Sequence, residues 1–512
     1  MLRLLCYYFG LFSSTLLCDP FNLWFTTNDK TFHNYELERV KGLPKWLNGT
    51  YVRNGPGKFE YSRRKFVHAF DGYAKLMTIS IRSGGSLKFS TSFVKTYFYR
   101  HSQRIGDIAP YLLFDYTTPK FNRFDRLQQL LHGIDNVNVN IHAWKNDRNG
   151  TSYVAVSDFW QVYEIDMTTL GTLKRINAKI PGIDNPLYDF IPLPATSHPL
   201  QEIGTNNFIT FLSLFSLFPG LDSRIQIIRI KSVEKRELIS SISTSRLPYM
   251  HSFALTKSWV ILLGHPLFIN KLKILKTSIP LKSIDWRPEF GTEIFLVHLP
   301  TGTIRRMRIV KAVFATHFIN AYEESGDIVA DFITYDNPKL FDILLLSIIL
   351  DPVQRKSIFV KPVVMRFRIN LRRNTVNIHQ IGDVNFDFPI INKDFEKNYY
   401  CFAYGLTLDW MNSTASPSDW AGIGKNDLCG KGRSITWSRR YHLPSEVWFE
   451  RRPGSVYEDD GVLMSVILDT IRRTSYLAIL DARTLLLLHA IDFPTYVPFT
   501  MHGKFFSHKF FN

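Results

Sequence analysis

The chain has 512 residues, 45% of them apolar and 21% charged, with 41 Phe, 23 Tyr and 10 Trp and a formal net charge of +17. That mixture excludes a disordered or low-complexity protein and leaves ample material for a large core. Four cysteines are too few for a disulfide-built scaffold, and there is no CxxC, no Cys/His zinc spacing, no HExxH, no G-x-S-x-G and no P-loop.

Residues 1–18, MLRLLCYYFGLFSSTLLC, carry one Arg and then an apolar run. The run is shorter than the ~20 residues of a comfortable membrane span. It resembles a signal-peptide core, but Leu16, Leu17 and Cys18 stand where a cleavage site wants small residues. It is a candidate signal or anchor. No compositional break or linker follows, so 19–512 is expected to be a single domain. Three N-x-S/T triplets, at Asn48, Asn149 and Asn412, do not decide the compartment.

Strand-length runs rich in β-branched and aromatic residues then recur along the chain. They include Ser152–Val156, Phe208–Leu212, Ile225–Ile230, Trp259–Leu263, Glu293–Leu299, Thr303–Ile309, Ile328–Tyr335, Gly461–Leu468 and Ser475–Leu480. Turn signals such as SGD, PTG, EDDG and DART separate them. EIFLVHLPTGTIRRMRIV and VLMSVILDTIRRTSYLAILDA read as antiparallel hairpins. The pattern is all-β, and repeated antiparallel units suggest a propeller or a barrel. Three stretches fit strands less well. Pro266–Ile284 mixes Leu, Ile and Phe with Lys, and Leu212–Leu221 is apolar with almost no charge. Both suit either a membrane-interface segment or a helix and loop packed on the sheets. Lys339–Pro352 reads as a buried or interfacial helix. Cys401 and Cys429 could pair, but are read as free thiols in a reduced compartment.

The basic residues are spread out, as Arg63, Arg64 and Lys65; Lys271 and Lys273; Arg305, Arg306 and Arg308; Arg372 and Arg373. No nucleic-acid-binding motif accompanies them, so no nucleic acid partner is expected. An anionic lipid surface suits the charge better, at ~1 kcal/mol per basic residue near it. A solvated basic face without a partner is the alternative.

Four histidines stand in recognisable settings: His198 in ATSHPL, His251 in LPYMHSF, His317 in FATHFINAYE and His502 in PFTMHGKFF. They are too far apart in sequence for one helix or hairpin to present them together. A fold that gathered them would offer four nitrogens, a set suited to a transition metal such as iron.

Those segments, with LPKWLNGTYVRNGPGKFE (Leu43–Glu60), HAFDGYAKL (His68–Leu76) and PSEVWFERRPGSVYEDDGVLMSVI (Pro444–Ile467), resemble the carotenoid cleavage oxygenase family. Seven segments stand in the right order between about Leu43 and Phe506. The resemblance implies a seven-bladed β-propeller with a helical and loop cap over its top face. It implies one non-haem Fe(2+) on His198, His251, His317 and His502. It places three outer carboxylates at Asp158, Asp387 and Glu446, facing His251, His317 and His502 respectively, and leaves His198 without one. Only Glu446 keeps the family's glutamate. Aspartate is one methylene shorter, so unless the backbone moves inward the bond lengthens or a water intervenes. Restoring glutamate at 387 is expected to raise or preserve iron affinity. Phe388 and Tyr335 are expected to line the substrate tunnel. Many animal relatives carry a Pro-Cys-Lys motif where this chain has TTPKF, so no lipidated-cysteine anchor is expected there.

The activity implied is O2-dependent scission of one carbon–carbon double bond of a carotenoid or apocarotenoid, giving aldehydes such as retinal when a central bond of β-carotene is cut. The expected setting is cytoplasmic and peripheral to a membrane, with the secretory route left open. Three alternatives remain: a retinoid isomerohydrolase, a non-catalytic carotenoid-binding protein, and a basic propeller serving as an interaction platform.

Overall fold

The computed structural model describes residues 20–82, 84–148, 150–179, 194–216, 222–358, 360–407, 421–430, 432 and 434–507. The N-terminal apolar segment with Cys6 and Cys18, the triplets at Asn149 and Asn412, and residues 217–221 of the Leu212–Leu221 stretch lie outside these. Asn48 is half-buried, immediately before a strand.

Strand is the main regular structure of the described residues. Seven antiparallel sheets of four or five strands succeed one another, from 32–93, 140–176, 200–244, 254–309, 314–380, 387–437 and 442–492. The first is completed by the last described strand, His502–Ser507, which pairs with Gly49–Lys58 and sets His502 opposite Asn54. Every run named above as strand-like is a strand, with ends shifted by at most two residues: most are extended, while Leu299 and Thr303 fall just outside theirs, and both hairpins form. Alternate side chains of a strand face opposite sides, so a sheet packed on both faces needs apolar residues on both. Gly461–Asp469 accordingly runs GVLMSVILD and is buried throughout.

Neighbouring sheets pack face to face. Phe211 and Ile227 of the third meet Leu262 and Phe295 of the fourth. Ile261 and Leu296 of the fourth meet Ile328 and Phe332 of the fifth. Tyr51 and Ile79 of the first meet Met464 and Ile479 of the seventh. The edge strands that open successive sheets also touch, among them Ala254–Leu255 with Phe314–Glu324 and Phe314–Glu324 with Asp387–Ile390. Such edges would otherwise leave unpaired backbone groups exposed.

Helices are few and short. The longest among the described residues, Arg123–His132, has ten residues and is started by a capping box between Asn122 and Asp125. No helix among the described residues is long and apolar enough to cross a membrane.

Three expectations need correction. Leu212–Leu214 belongs to the strand Phe208–Leu214. Lys339–Pro352 is not one helix but short pieces, Leu340–Ile343 and Leu346–Ile349, with Pro352–Ser357 following. The break falls at Leu344 and Leu345 because the backbone there is engaged elsewhere: Leu344 accepts from Ala69 N, Leu345 bridges His68, and Leu346 N donates to Val67. Cys401 and Cys429 are not free thiols but a disulfide. They flank the paired strands Phe402–Thr407 and Gly422–Asp427, whose register sets Phe402 opposite Asp427 and brings the two cysteine Cα atoms to 5.1 Å. Pro266–Ile284 divides into a strand Leu267–Ile269, a helix Lys271–Thr277 and a short 3-10 turn.

Candidate metal centre

Each of the four histidines lies at or near the start of a sheet's edge strand. His198 precedes Leu200–Gln201, His251 precedes Ala254–Leu255, His317 lies within Phe314–Glu324, and His502 opens His502–Ser507. The sheets bring them to one point. Nε2 of His198 lies 3.0 Å from that of His251, His251 to His317 is 3.2 Å, and His317 to His502 is 3.4 Å. All four ligand atoms fall within 4.8 Å of one another. Imidazole nitrogens sit about 2.1 Å from a divalent first-row ion, so two at a right angle are about 3 Å apart. The donor set therefore fits a single transition ion.

The opposite ring nitrogens are held by carboxylates. His251 Nδ1 donates to Asp158 at 2.6 Å, His317 Nδ1 to Asp387 at 2.6 Å, and His502 Nδ1 to Glu446 at 2.7 Å. A proton on Nδ1 leaves the Nε2 lone pair free, so the carboxylates select the ligating tautomer. No carboxylate among the described residues faces His198. Its backbone N–H donates to Thr196, whose hydroxyl donates to His251 O.

Neither aspartate bond is lengthened, and the backbone supplies the reason at Asp387. Between the pairs Asp387–Leu406 and Ile390–Tyr404, three steps on one strand face two on the other. This is a β-bulge, and Phe388 within it has φ of 53°, an uncommon conformation for a bulky residue. His317 lies in a comparable irregularity, between Ala315–Thr334 and Phe318–Phe332. Bulges re-aim side chains, and both members of this pair are aimed by one.

Burial and charge act together on the centre. Burial, followed by the three other imidazoles, pushes His198 well below its ordinary value. Burial likewise brings His502 down to about 4 against the pull of Glu446. Burial also opposes charge on His251, but the Asp158 carboxylate outweighs it and raises that group. Burial would raise Asp158, Asp387 and Glu446, yet the facing imidazoles, with Arg53 at Glu446, hold all three below the usual carboxylate range. At His198 and His502 this favours the neutral imidazole, the form that takes up metal.

A cavity of about 90 Å³ adjoins the centre, lined by His251, His317, Phe314, Phe341 and Phe388 among others. A larger one, about 220 Å³, is lined by Asp158, Phe114, Leu130, Ile274 and Leu275; Tyr249 lines both. Phe388 packs its ring 5.1 Å from that of His317 and 5.2 Å from that of His502. Tyr335 also lines the smaller cavity, but its hydroxyl donates to Asp387 at 2.8 Å, a contact that its motif does not reveal.

Asp387 thus has no spare capacity. Phe388 N joins His317 on one oxygen, while Tyr335 and Thr316 donate to the other. The side chain is 3% exposed. An added methylene overpacks such a site, so the effect expected from restoring glutamate changes sign. Asp387→Glu should weaken metal binding roughly tenfold, read by titrating the metal-free protein with Co(II). Equal or tighter binding would mean that the bulge can relax.

Two further polar residues near the centre, His142 and Lys504, were not singled out by the motifs. The sequence signal for the first is the alternation of Asn136, Asn138, Asn140 and His142, a polar stripe on one face of an otherwise apolar run. Its asparagines donate to backbone carbonyls of Asp71, Gly72, Phe70 and Ser197.

Successive antiparallel sheets closed by the last described strand, with four convergent imidazoles and three supporting carboxylates, define an all-β protein with, among the described residues, one candidate metal centre. The chain matches the family described as retinal pigment epithelial membrane protein over residues 25–507. It belongs to this family, the carotenoid cleavage oxygenases. It is 25% identical to the human mitochondrial carotenoid-cleaving dioxygenase, with 91% of this chain and 87% of that protein covered. It is 27% identical to the carotenoid isomerooxygenase of Galleria mellonella, covering 91% and 92%. Among solved structures, a variant of the Synechocystis apocarotenoid oxygenase superposes with a TM-score of 0.79 at 22% identity, covering 95% of this chain and 98% of that one. A cobalt-substituted form of the Synechocystis protein gives 0.78, also at 22% identity and the same coverage.

Proposed function

We propose that the protein is a non-haem Fe(II) oxygenase that cleaves a carbon–carbon double bond of a carotenoid or apocarotenoid, on a single seven-bladed propeller domain spanning 19–512 with the short helices as its cap. The observation that carries this is the set of four Nε2 atoms, three of them oriented by carboxylates, beside an apolar cavity. The names of the human and moth relatives favour the same substrate class.

His198, His251, His317 and His502 would hold the iron. When bound, it supplies the activation of O2, whose two oxygen atoms end in two carbonyl products in place of one alkene bond. The protein's part is to place and shield. Asp158, Asp387 and Glu446 keep Nδ1 protonated, so each Nε2 stays available. Phe314, Phe341 and Phe388 offer a polyene an apolar wall and keep water from the bond. Direct bonds from the two aspartates weigh against the carrier reading.

The decisive experiment is anaerobic purification with Fe(II), then β-carotene in detergent under labelled O2, with products resolved by mass spectrometry. Labelled retinal or a labelled apocarotenal supports the oxygenase. Products formed without incorporation of label would support an isomerohydrolase instead.

The substrate is water-insoluble, and one surface suits delivery from a membrane. On Arg123–His132, Phe124, Leu127 and Leu131 are 67, 55 and 65% exposed; on Lys271–Thr277, Leu272 and Leu275 are 78 and 59% exposed. Arg123, Arg126, Lys271, Lys273 and Lys276 accompany them, and Leu130, Lys271 and Leu275 line the larger cavity. Apolar side chains beside basic ones suit peripheral attachment to anionic lipid. Replacing Leu127, Leu131 and Leu272 together by Asp should shift the protein from vesicles to supernatant in flotation, with metal content unchanged. Undiminished flotation would assign attachment elsewhere. The Cys401–Cys429 disulfide favours an oxidising compartment over the cytoplasm. Peptide mapping without reductant on protein from its native source tests this.

A further inference from the structure

Among the described residues, His198 is the one member of the centre with no carboxylate behind it. What holds its segment is the carbonyl of Ser197, which accepts from two side chains of the same strand, Asn140 Nδ2 at 3.1 Å and His142 Nε2 at 2.9 Å. Strand alternation places residues 140 and 142 on the same face, and His142 is 1% exposed, with its ring stacked on Trp144. A carbonyl can only accept, so the proton of His142 is on Nε2. Its Nδ1 is then an acceptor, and Lys504 Nζ donates to it at 2.7 Å. The hydrogen bonds therefore run one way, from Lys504 through His142 to Ser197. Both ring nitrogens are engaged, so His142 is not a fifth ligand.

We propose that His142, its tautomer set by Lys504, is the positioning residue for His198, doing through the Ser197 backbone what Asp158, Asp387 and Glu446 do for the other three imidazoles through Nδ1. The inference rests on the metal centre put forward above. Lys504 lies two residues beyond His502 on the closing strand, and His142 lies on the edge strand of the second sheet. The relay thus ties the strand of one ligand to the loop of another. Ser197 N completes the clamp by donating to Asp158 at 3.2 Å, the carboxylate that also holds His251.

The test uses the full chain, freed of metal and titrated with Co(II), whose visible spectrum reports the number and arrangement of ligands. His142→Phe keeps an aromatic ring in place without the donor; His142→Gln keeps an N–H at the end of the side chain. The expected result is an altered Co(II) spectrum and about tenfold weaker binding for His142→Phe, with both returning toward wild type in His142→Gln. Lys504→Met leaves the ring in place and frees its tautomer, and should move the spectrum in the same direction by less. That variant decides the matter if His142→Phe does not fold. A wild-type spectrum and affinity in His142→Phe, or in Lys504→Met where only that variant folds, overturns the proposal. So does a His142→Gln variant as impaired as His142→Phe, which would make the role one of packing. A wild-type protein that takes up no Co(II) overturns the metal centre itself and this inference with it.

Discussion

His317→Ala should leave a folded protein with no measurable cleavage of carotenoid and metal content reduced by more than the ~10–100-fold that loss of an outer partner costs. His317, like His251, sits between two of the other imidazoles. Its Nε2 lies within 3.4 Å of two others, and its Nδ1 engages the carboxylate that also binds Tyr335, Thr316 and Phe388. Truncation removes a ligand and the principal partner of Asp387 together. Metal analysis and thermal melting of the same preparation separate the two consequences. A variant with wild-type metal content would remove His317 from the site and return weight to the interaction-platform reading. Equivalent substitutions at His198, His251 and His502 should behave alike, because His142, the nearby histidine among the described residues, is engaged on both ring nitrogens and cannot supply a replacement.

The largest stability effect is expected at a residue that touches no substrate. Arg53 is fully buried on the strand Gly49–Lys58. Its guanidinium pairs with Glu446 and also donates to Thr500 Oγ1, Thr500 O and Met501 O, at 3.1, 3.1 and 3.0 Å. It therefore joins the first sheet, the carboxylate behind His502, and the turn that delivers His502. Arg53→Ala leaves Glu446 without its cation and two buried backbone carbonyls without donors. Removing one member of such a pair costs about 3–5 kcal/mol, a large part of the stability of an ordinary domain. A chain of this size often unfolds irreversibly, so the suitable reading is the rate of thermal inactivation. Arg53→Ala should inactivate much faster and bind metal more weakly. Arg53→Lys should recover only part of both, since an ammonium cannot reproduce the planar fork. An Arg53→Ala protein as durable as wild type would mean that Glu446 is held by His502 and Gly503 N alone.

Much of this architecture was legible in the amino acids. β-branched and aromatic runs of strand length, punctuated by turns, marked the strands and two hairpins, because strand pairing selects side chains locally. The four histidines and their three carboxylates stood out through the segments around them. The helix expected over Lys339–Pro352 failed for a non-local reason: its apolar run is real, but Val67, His68 and Ala69 compete for the backbone at its middle. The disulfide was equally hidden, since it depends on the register between Phe402 and Asp427 rather than on cysteine spacing.

By itself the sequence determined the class of fold, the family, and which histidines could serve a metal. The first rests on side-chain type and short spacing, which one chain carries openly; the family and the four histidines are what the resemblance of their surrounding segments implies. Tertiary structure alone decided that four nitrogens from positions 198–502 fall within 4.8 Å and that Asp387 reaches His317 through a bulge. It also decided that the Tyr335 hydroxyl serves Asp387, and that the segment of His198 hangs from His142 and Lys504. Each of these is a contact between residues far apart in the chain. It is fixed to a few tenths of an ångström by how whole sheets pack, and no local pattern encodes that distance.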